Sequence, residues 1–535
     1  MLALQAGLLV WQAHHAGITV DEPAHLVSSY LYWQGRDILL PRDMPPLIKA
    51  AAGAVPTSAE LGFNPLEIRP GEWEWDFANR VMHRDNPQWI GPLFARARLP
   101  LILFPLLTSL LIFLWARVHL GSISALAAVF LFAFDPTSLG HGSLIKNDHA
   151  ATCTGFLFSL AASRYSARPS TGNLGLLSGA VWLAVSAKLS LLICFPAAIA
   201  VIAFSLRSWL LVPHALLLTV TLYAGMCAAS WFDLVPLTPV EFQESSVANL
   251  ASRFSQLLKP LFTEMPVPRL YWNGINALLY WNADAGNPIY FLGQHVPQGS
   301  VWYFVVCILV KVSEGFLALF AAGLAGACAL GRRKACFLLL PAAIYFGAAS
   351  STAMQLGIRL ILPVLPFAAL IAAPVFSRPL PAWGRNLAVA ALAAAGLSSA
   401  FSFPHGIGYF NQASGGNTQA LGYLADSNLD WGQDLPALRE WMDQAAPPKI
   451  KLYYFGNDNP FRFFNDDEIE PMAPPWGPDL VSSDRLAPAP GYYVISANLL
   501  PGHAFAPQFK DYFTAFRKRT PLAIAGSSLY IFRIP

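Results

Sequence analysis

The chain reads as a polytopic α-helical membrane protein of about eleven spans, ending in a small α/β domain outside the membrane. Three observations predict this. Of 535 residues, 55% are hydrophobic and 12% charged, with a mean hydropathy of +0.45; a soluble globular domain carries about 25% charged residues. Eleven apolar runs approach the roughly 20 residues a crossing needs: 2–20, 99–116, 119–138, 149–163, 172–187, 189–206, 209–231, 301–330, 335–353, 358–376 and 386–403. Beyond residue 403 the apolar character stops and turn formers take over.

The first run lacks a basic flank and a small-residue cleavage site, so it is expected to be a retained span although it carries His14 and His15. Short connections orient the rest. Arg117, Arg164, Arg168, Arg207, Arg332, Arg333, Lys334, Arg378 and Arg385 share one side when the N-terminus is cytoplasmic, and that basic side is the cytoplasm. This requires the chain to re-enter near Lys188, since a single helix over 173–206 would invert everything downstream. The spans then form one domain over 1–403, with loops 21–98 and 232–300 and the terminal domain 404–535 outside.

In the first loop, Ala24 to Trp33 has helical spacing, with Leu26, Tyr30 and Trp33 on one side, and is expected in the interface plane. Pro45-Pro46 opens a second short helix, because proline is tolerated in a first turn. Trp73, Trp75 and Trp89 complete a partly embedded platform. In the terminal domain, Lys451–Phe455, Tyr492–Ser496 and Leu529–Arg533 read as strands, and Leu435–Gln444 and Gln508–Lys518 as helices, the first capped by Asp434.

The net charge of +3 is small and dispersed, which excludes a nucleic-acid partner. Cys153, Cys194, Cys227, Cys307, Cys328 and Cys336 all lie in or beside apolar runs, without zinc spacing, so neither a metal nor a disulfide framework is expected. No P-loop, GxGxxG, HExxH or GxSxG motif occurs.

The charges that interrupt apolar sequence carry the chemistry. Asp21-Glu22 stands at the mouth of the first span, where a carboxylate must face water, a cation or a substrate, and a carboxylate can take the proton of an attacking hydroxyl. Asp148 follows the polar turn from His141, as a second acid, a partner of Lys146, or the cap of the next span. Lys188 has no partner among its neighbours and would cost about 3 kcal/mol at mid-bilayer, so it either snorkels or holds an anion such as a lipid phosphate. Arg359 has the same logic, with a guanidinium suited to phosphate. Lys311 with Glu314 reads as an intrahelical pair. Asp426, Asp430, Trp431 and Asp434 crowd a segment that hints at a calcium loop, but the acid pattern after Gly432 fails. His25 and Lys49 are further substrate-contacting or structural candidates.

The order Asp21-Glu22-Pro23-Ala24-His25, Pro45-Pro46-Leu47, His141-Gly142-Ser143 with Asp148, Ala187-Lys188, Gly357-Ile358-Arg359-Leu360, Tyr409-Phe410-Asn411 and Asp426 to Asp434 resembles bacterial members of the protein O-mannosyltransferase-like family. That family belongs to the C-type, polyprenyl-phosphate-dependent glycosyltransferase superfamily, and the resemblance covers nearly the whole chain. It implies sugar transfer from a polyprenyl monophosphate to a hydroxyl on the outer face of the inner membrane, with inversion and without a cofactor. Carried onto matching positions, Asp21 is the general base, Glu22 an orienting acid, Asp148 the second acid, and Lys188 and Arg359 the donor-phosphate contacts. A β-trefoil insert like that of the eukaryotic mannosyltransferases is missing, which puts a protein acceptor in doubt. A transporter or flippase of a lipid-linked sugar is the alternative, though it would commonly show inverted repeats, and none stands out. A non-catalytic assembly protein with a sugar-binding outer domain is a third reading.

Overall fold

The computed structural model describes residues 1–35, 44–54, 72, 74–87, 90–206, 208–236, 266–283, 288–326, 330–477, 480–481 and 483–535. Trp73, Trp89, Arg207 and Cys328, all used in the sequence reading, lie outside them.

Every predicted apolar interval holds helix. The first is Leu2–His15, and the second continues from a 3-10 turn at Leu99–Ile102 into Leu103–His119. Ser122–Ala133, Asp148–Ala167, Thr171–Ala187, Cys194–Ser205 and Ser208–Ala229 follow. Tyr303–Lys311, Glu314–Ala325, Arg332–Ser350, the 3-10 segment Ile358–Val364 with helix Leu365–Ala372, and Ala382–Ser402 complete the set. Fewer of these are full crossings than expected. Among the described residues, Ile90–His119, Trp209–Ala229 and Ile358–Ser377 are long and apolar enough to cross a membrane, with a fourth if Tyr303–Lys311 and Glu314–Ala325 count as one span.

That last pair corrects the reading of 301–330 as one straight helix, because its halves meet at 117°. The break separates Lys311 from Glu314, so they do not pair within a helix. Lys311 Nζ donates to the carbonyls of Ile407, at 2.7 Å, and Asn428, while Glu314 Oε1 accepts from the Ala413 N–H at 2.8 Å. Opened backbone carbonyls replace the expected carboxylate. The helix Ser208–Ala229 leaves Leu216, Leu217 and Val220 exposed while Leu218 and Leu222 pack inward, an apolar outer face suited to lipid.

The first-loop helix, Glu22–Trp33, does not lie on a surface. Residues from Glu22 to Tyr32 are all buried, and Leu26, Val27 and Leu31 share a core with Ile48, Phe77, Phe94, Ile145 and Ala187. Five other stretches supply the apolar contacts that lipid was expected to provide. The helix Pro46–Gly53, started by its proline as predicted, packs on it and carries Lys49, itself 1% exposed.

Among the described residues, two short antiparallel pairs precede the terminal domain: β1 (Leu234–Val235) with β2 (Val267–Pro268), and the hairpin of β3 (Ile289–Phe291) with β4 (Gln294–Val296). The terminal sheet comprises β5 (Ile450–Tyr453), β6 (Ile469–Pro471), β7 (Gly491–Ser496), β8 (Ala523–Ala525) and β9 (Leu529–Ile534), in the order β6-β5-β7-β9-β8. β5 runs parallel to β6 and β7, and β9 antiparallel to β7 and β8. Alternate side chains point to opposite faces of a strand. Tyr453, Tyr493, Ile495, Tyr530 and Phe532 therefore join a core continuous with the helical bundle, whereas Leu452, Val494 and Ile531 pack with Leu435, Leu438 and Met442 of the helix Leu435–Ala445. Sharing a core fixes the domain to the bundle. The helix expected over Gln508–Lys518 is a 3-10 turn, Pro507–Phe509, and one short helix, Thr514–Arg517.

Candidate functional site

The adjacent carboxylates have different surroundings. Glu22 opens the first-loop helix and is fully enclosed. Its Oε1 accepts from Arg98 Nε at 2.8 Å and the Ile145 N–H at 3.0 Å; its Oε2 accepts from Arg98 Nη2 at 2.5 Å, the Thr19 N–H at 2.9 Å and Thr19 Oγ1 at 3.1 Å. Arg98 spends its remaining N–H groups on the carbonyls of Ala13, Ala16 and Gly17. A carboxylate has about four lone-pair sites and a guanidinium five donors, so neither partner has capacity left for a substrate. Burial opposes the charge of Glu22, but Arg98 and the two backbone N–H groups outweigh it and hold the carboxyl below its usual range.

Asp21, one residue earlier, stays partly open. Among the described residues its carboxylate makes one hydrogen bond, from Lys146 Nζ at 2.7 Å, in a pair whose side chains are 13% and 16% exposed. His25 faces the same pair. A carbonyl only accepts, so its 2.6 Å contact to the Ile145 carbonyl assigns the hydrogen to Nδ1, leaving Nε2 toward Lys146 Nζ at 3.4 Å. Burial would raise the Asp21 carboxyl, but the charges of Lys146 and Arg359, with the polar ring of His25 beside them, outweigh it and hold it below the usual carboxylate range.

Asp148 does not cap the following span. Its helix begins at Asp148 itself, with Asn147 before it and no side-chain cap bond. The carboxylate turns inward instead. Its Oδ1 lies 2.8 Å from Lys188 Nζ and its Oδ2 3.7 Å from Arg359 Nη1, and Asp148 is 1% exposed. Lys188 reaches it because the helix Thr171–Ala187 breaks there, where Lys188 is extended at φ −156° and ψ 127°. The lysine is thus paired rather than snorkelling.

Arg359 is held from both sides. Gly357 has φ +130°, and a Cβ there would press on Ser427 Oγ at 2.8 Å, so a glycine is needed for the close approach. That approach lets Arg359 Nε donate to Ser427 Oγ at 2.8 Å and the Ile358 N–H donate to Asn428 Oδ1 at 2.9 Å. The guanidinium carbon stands 4.2 Å from the centre of the buried Trp431 ring, and Lys146 Nζ 5.8 Å from it. One indole carries both cations.

The segment Asp426 to Asp434 clamps this charged cluster from the terminal-domain side. Asp426 takes φ +59°, unusual outside glycine, and its N–H donates to Asn498 Oδ1 at 2.6 Å. Burial pushes its carboxyl up, against the pull of the Ser427 N–H and Arg359. Asp430 accepts from the N–H groups of Gly432, at 3.0 Å, and Asn498, at 3.2 Å, and burial pushes it up to about 7. The Trp431 carbonyl accepts from the Val20 N–H at 2.9 Å, tying the clamp to Asp21. Asp434 gives no cap bond to the following helix; it accepts from the backbone and hydroxyls of Ser527 and Ser528. Four donors from a neighbouring turn outcompete one helix amide.

The structure therefore brings Asp21, His25, Asp148, Lys188, Arg359, Asp426 and Trp431 into one cluster, with Lys146 added to them. Glu22, Lys311, Asp430 and Asp434 brace it, and Lys49 sits in the adjoining helix. Sequence reasoning offered Lys146 as a partner for Asp148, where it serves Asp21, and passed over Arg98 and Ser427. A basic residue closing a polar loop just before an apolar run was the available signal for Arg98.

No protein-family model matches the chain, and no curated protein does. Among solved structures, ArnT from Cupriavidus metallidurans in the apo state is 14% identical, with 99% of this chain and 96% of that chain covered and a TM-score of 0.46. The same protein bound to undecaprenyl phosphate gives 14% identity, the same coverage and a TM-score of 0.44. An Archaeoglobus fulgidus oligosaccharyltransferase in the apo form is 13% identical, with 79% of this chain and 56% of that chain covered and a TM-score of 0.43. Likenesses this loose leave the functional assignment to the chain's own residues.

Proposed function

We propose that this chain is an integral membrane glycosyltransferase that moves a sugar from a polyprenyl-monophosphate donor to a hydroxyl acceptor, with inversion. The observation that carries it is the charge pattern of this cluster. Lys146, Lys188 and Arg359 face two paired carboxylates, Asp21 and Asp148, while the third acid, Asp426, is pushed toward its neutral form. Such a cation surplus suits an anionic leaving group. The segment that carries Arg359 also lines a small apolar groove, through Ile358, Ile361 and Leu362 with Leu365 and Phe316, which offers a place for the start of a polyprenyl tail.

The acceptor oxygen attacks the anomeric carbon as the bond to the phosphate oxygen breaks. Asp21 takes the hydroxyl proton, and polyprenyl monophosphate departs with its charge against Arg359 and Lys188. The leaving group needs no proton, because its charge is met by cations held in place beforehand. Asp148 sets the positions of both cations, and Glu22 fixes the loop that presents Asp21. In this reading the helical bundle is embedded in the inner membrane, with the charged cluster and the terminal domain extracytoplasmic. The test is an assay of Asp21→Asn in membranes supplied with polyprenyl-phosphate sugars: transfer should fall by about 10²–10⁴-fold. Undiminished transfer would remove Asp21 as the base, and movement of the intact lipid-linked sugar across the bilayer would favour a flippase.

A further inference from the structure

Lys146 has a different attachment from the other two cations of the cluster. Lys188 and Arg359 both lean on Asp148, which is enclosed. Lys146 leans on Asp21, the group proposed to accept the acceptor's proton. As long as that 2.7 Å contact stands, one carboxylate oxygen is occupied and the other is electrostatically quenched. A carboxylate stabilised in this way is a weak base. The free structure therefore holds its base in a disarmed state.

The surroundings let the ammonium move while the backbone stays put. Ile145 is fixed through its N–H to Glu22 Oε1 at 3.0 Å and through its carbonyl to His25 Nδ1 at 2.6 Å. Lys146, next to it, therefore swings a flexible stem from an anchored root, and its side chain remains 13% exposed. Its ammonium already lies over the Trp431 ring that Arg359 covers. An anion that meets Arg359 comes within reach of Lys146 as well. A phosphate carries more charge than a carboxylate and several acceptor oxygens, so it competes well for a mobile point charge.

We infer that Lys146 is an exchange cation: the phosphate of the lipid-linked donor draws its ammonium off Asp21, so that Asp21 becomes a competent base only when the donor is seated. The inference rests on the glycosyltransferase reading above and adds an order to it, donor before acceptor. The charged groups facing Asp21 are Lys146 from the turn before Asp148, His25 from its own helix and Arg359 from the Ile358–Val364 segment, with Asp426 opposing them. Of the cations, Lys146 makes the direct contact, and its departure returns Asp21 toward ordinary carboxylate basicity.

The test is a double-mutant cycle on the purified full chain in detergent, with undecaprenyl monophosphate as probe and affinity as readout at pH 7. Asp21→Asn should tighten binding about tenfold, because the ammonium no longer has to leave a carboxylate; Lys146→Met should weaken it about tenfold or more. In the Lys146→Met background, Asp21→Asn should change affinity by less than about twofold. Equal tightening in both backgrounds would show that Asp21 acts through its negative charge alone and would overturn the exchange while leaving the site reading intact. Failure of the unmodified chain to bind the probe would overturn the site reading itself, and the exchange with it. Lys146→Arg should keep the response to Asp21→Asn, and Lys146→Gln replaces Lys146→Met in the cycle if the methionine variant does not fold.

Discussion

Asp21 and Glu22 are neighbours in the chain, yet one belongs to a closed clasp and the other to an open pair. Glu22 meets a guanidinium whose five donors are all used, in a place sealed by the first-loop core. Asp21 meets one ammonium, in a pair that stays partly exposed. Removing half of a sealed ion pair strands a charge, whereas removing half of an open one lets water in. The same residue class therefore does structural work at one position and is available for chemistry at the next.

The largest effect is expected from breaking the clasp. Arg98→Met leaves Glu22 buried without compensation and should cost about 3–5 kcal/mol, seen as a collapse of the melting temperature in detergent. A variant that melts like the parent would mean that the clasp does not hold the loop. Next comes Asp21→Asn, where the sharp contrast is a melting point within a few degrees of the parent together with the large loss of transfer proposed above. Loss of both together would place Asp21 with Glu22 as a structural residue.

Lys188→Ala should weaken apparent donor affinity about tenfold through the lost phosphate contact, without blocking membrane insertion. Unchanged donor affinity would limit Lys188 to balancing Asp148. Arg359→Lys keeps the charge but loses the flat contact with Trp431 and the Nε donation to Ser427. It should cost a smaller factor, about three- to tenfold, and a full return of activity would show that charge alone suffices there.

The smallest effects concern pH. Both carboxyls are held below their ordinary values, so the stability they contribute is fully present above the unfolded carboxylate range near pH ~4 and is lost as pH falls through the lower folded values. Glu22→Gln and Asp21→Asn should each flatten that acid loss in a melting series. If the donor releases Asp21 from Lys146, the acid limb of kcat should lie at higher pH than that of kcat/KM, because the first reports the occupied enzyme and the second the free one. Coincident limbs would argue that Asp21 feels the same field in both states.

Several parts of this arrangement are legible in the sequence. Lys188 and Arg359 stood out because a charge in apolar surroundings needs a partner, and each has one. The helical intervals followed from apolar composition, and β5, β7 and β9 from alternation and turn residues. The break at 117° between Lys311 and Glu314 was not visible, because an apolar run looks the same whether its helix is straight or folded back. The roles of Asp434 and Asp148 were misread for a related reason. An acid before a helix reads as a cap, and here stronger donors from distant segments took both carboxylates.

Apolar patterning by itself determined where helices form and where the terminal domain begins, because burial and backbone hydrogen bonding depend on local composition. Which of two adjacent acids is sealed and which is free was decided by tertiary structure alone: the partner of Glu22 lies 76 residues away and that of Asp21 lies 125 away. Pairings over such distances are set by how the loop, the Lys146 turn and the Trp431 segment pack together, and local spacing carries no record of that.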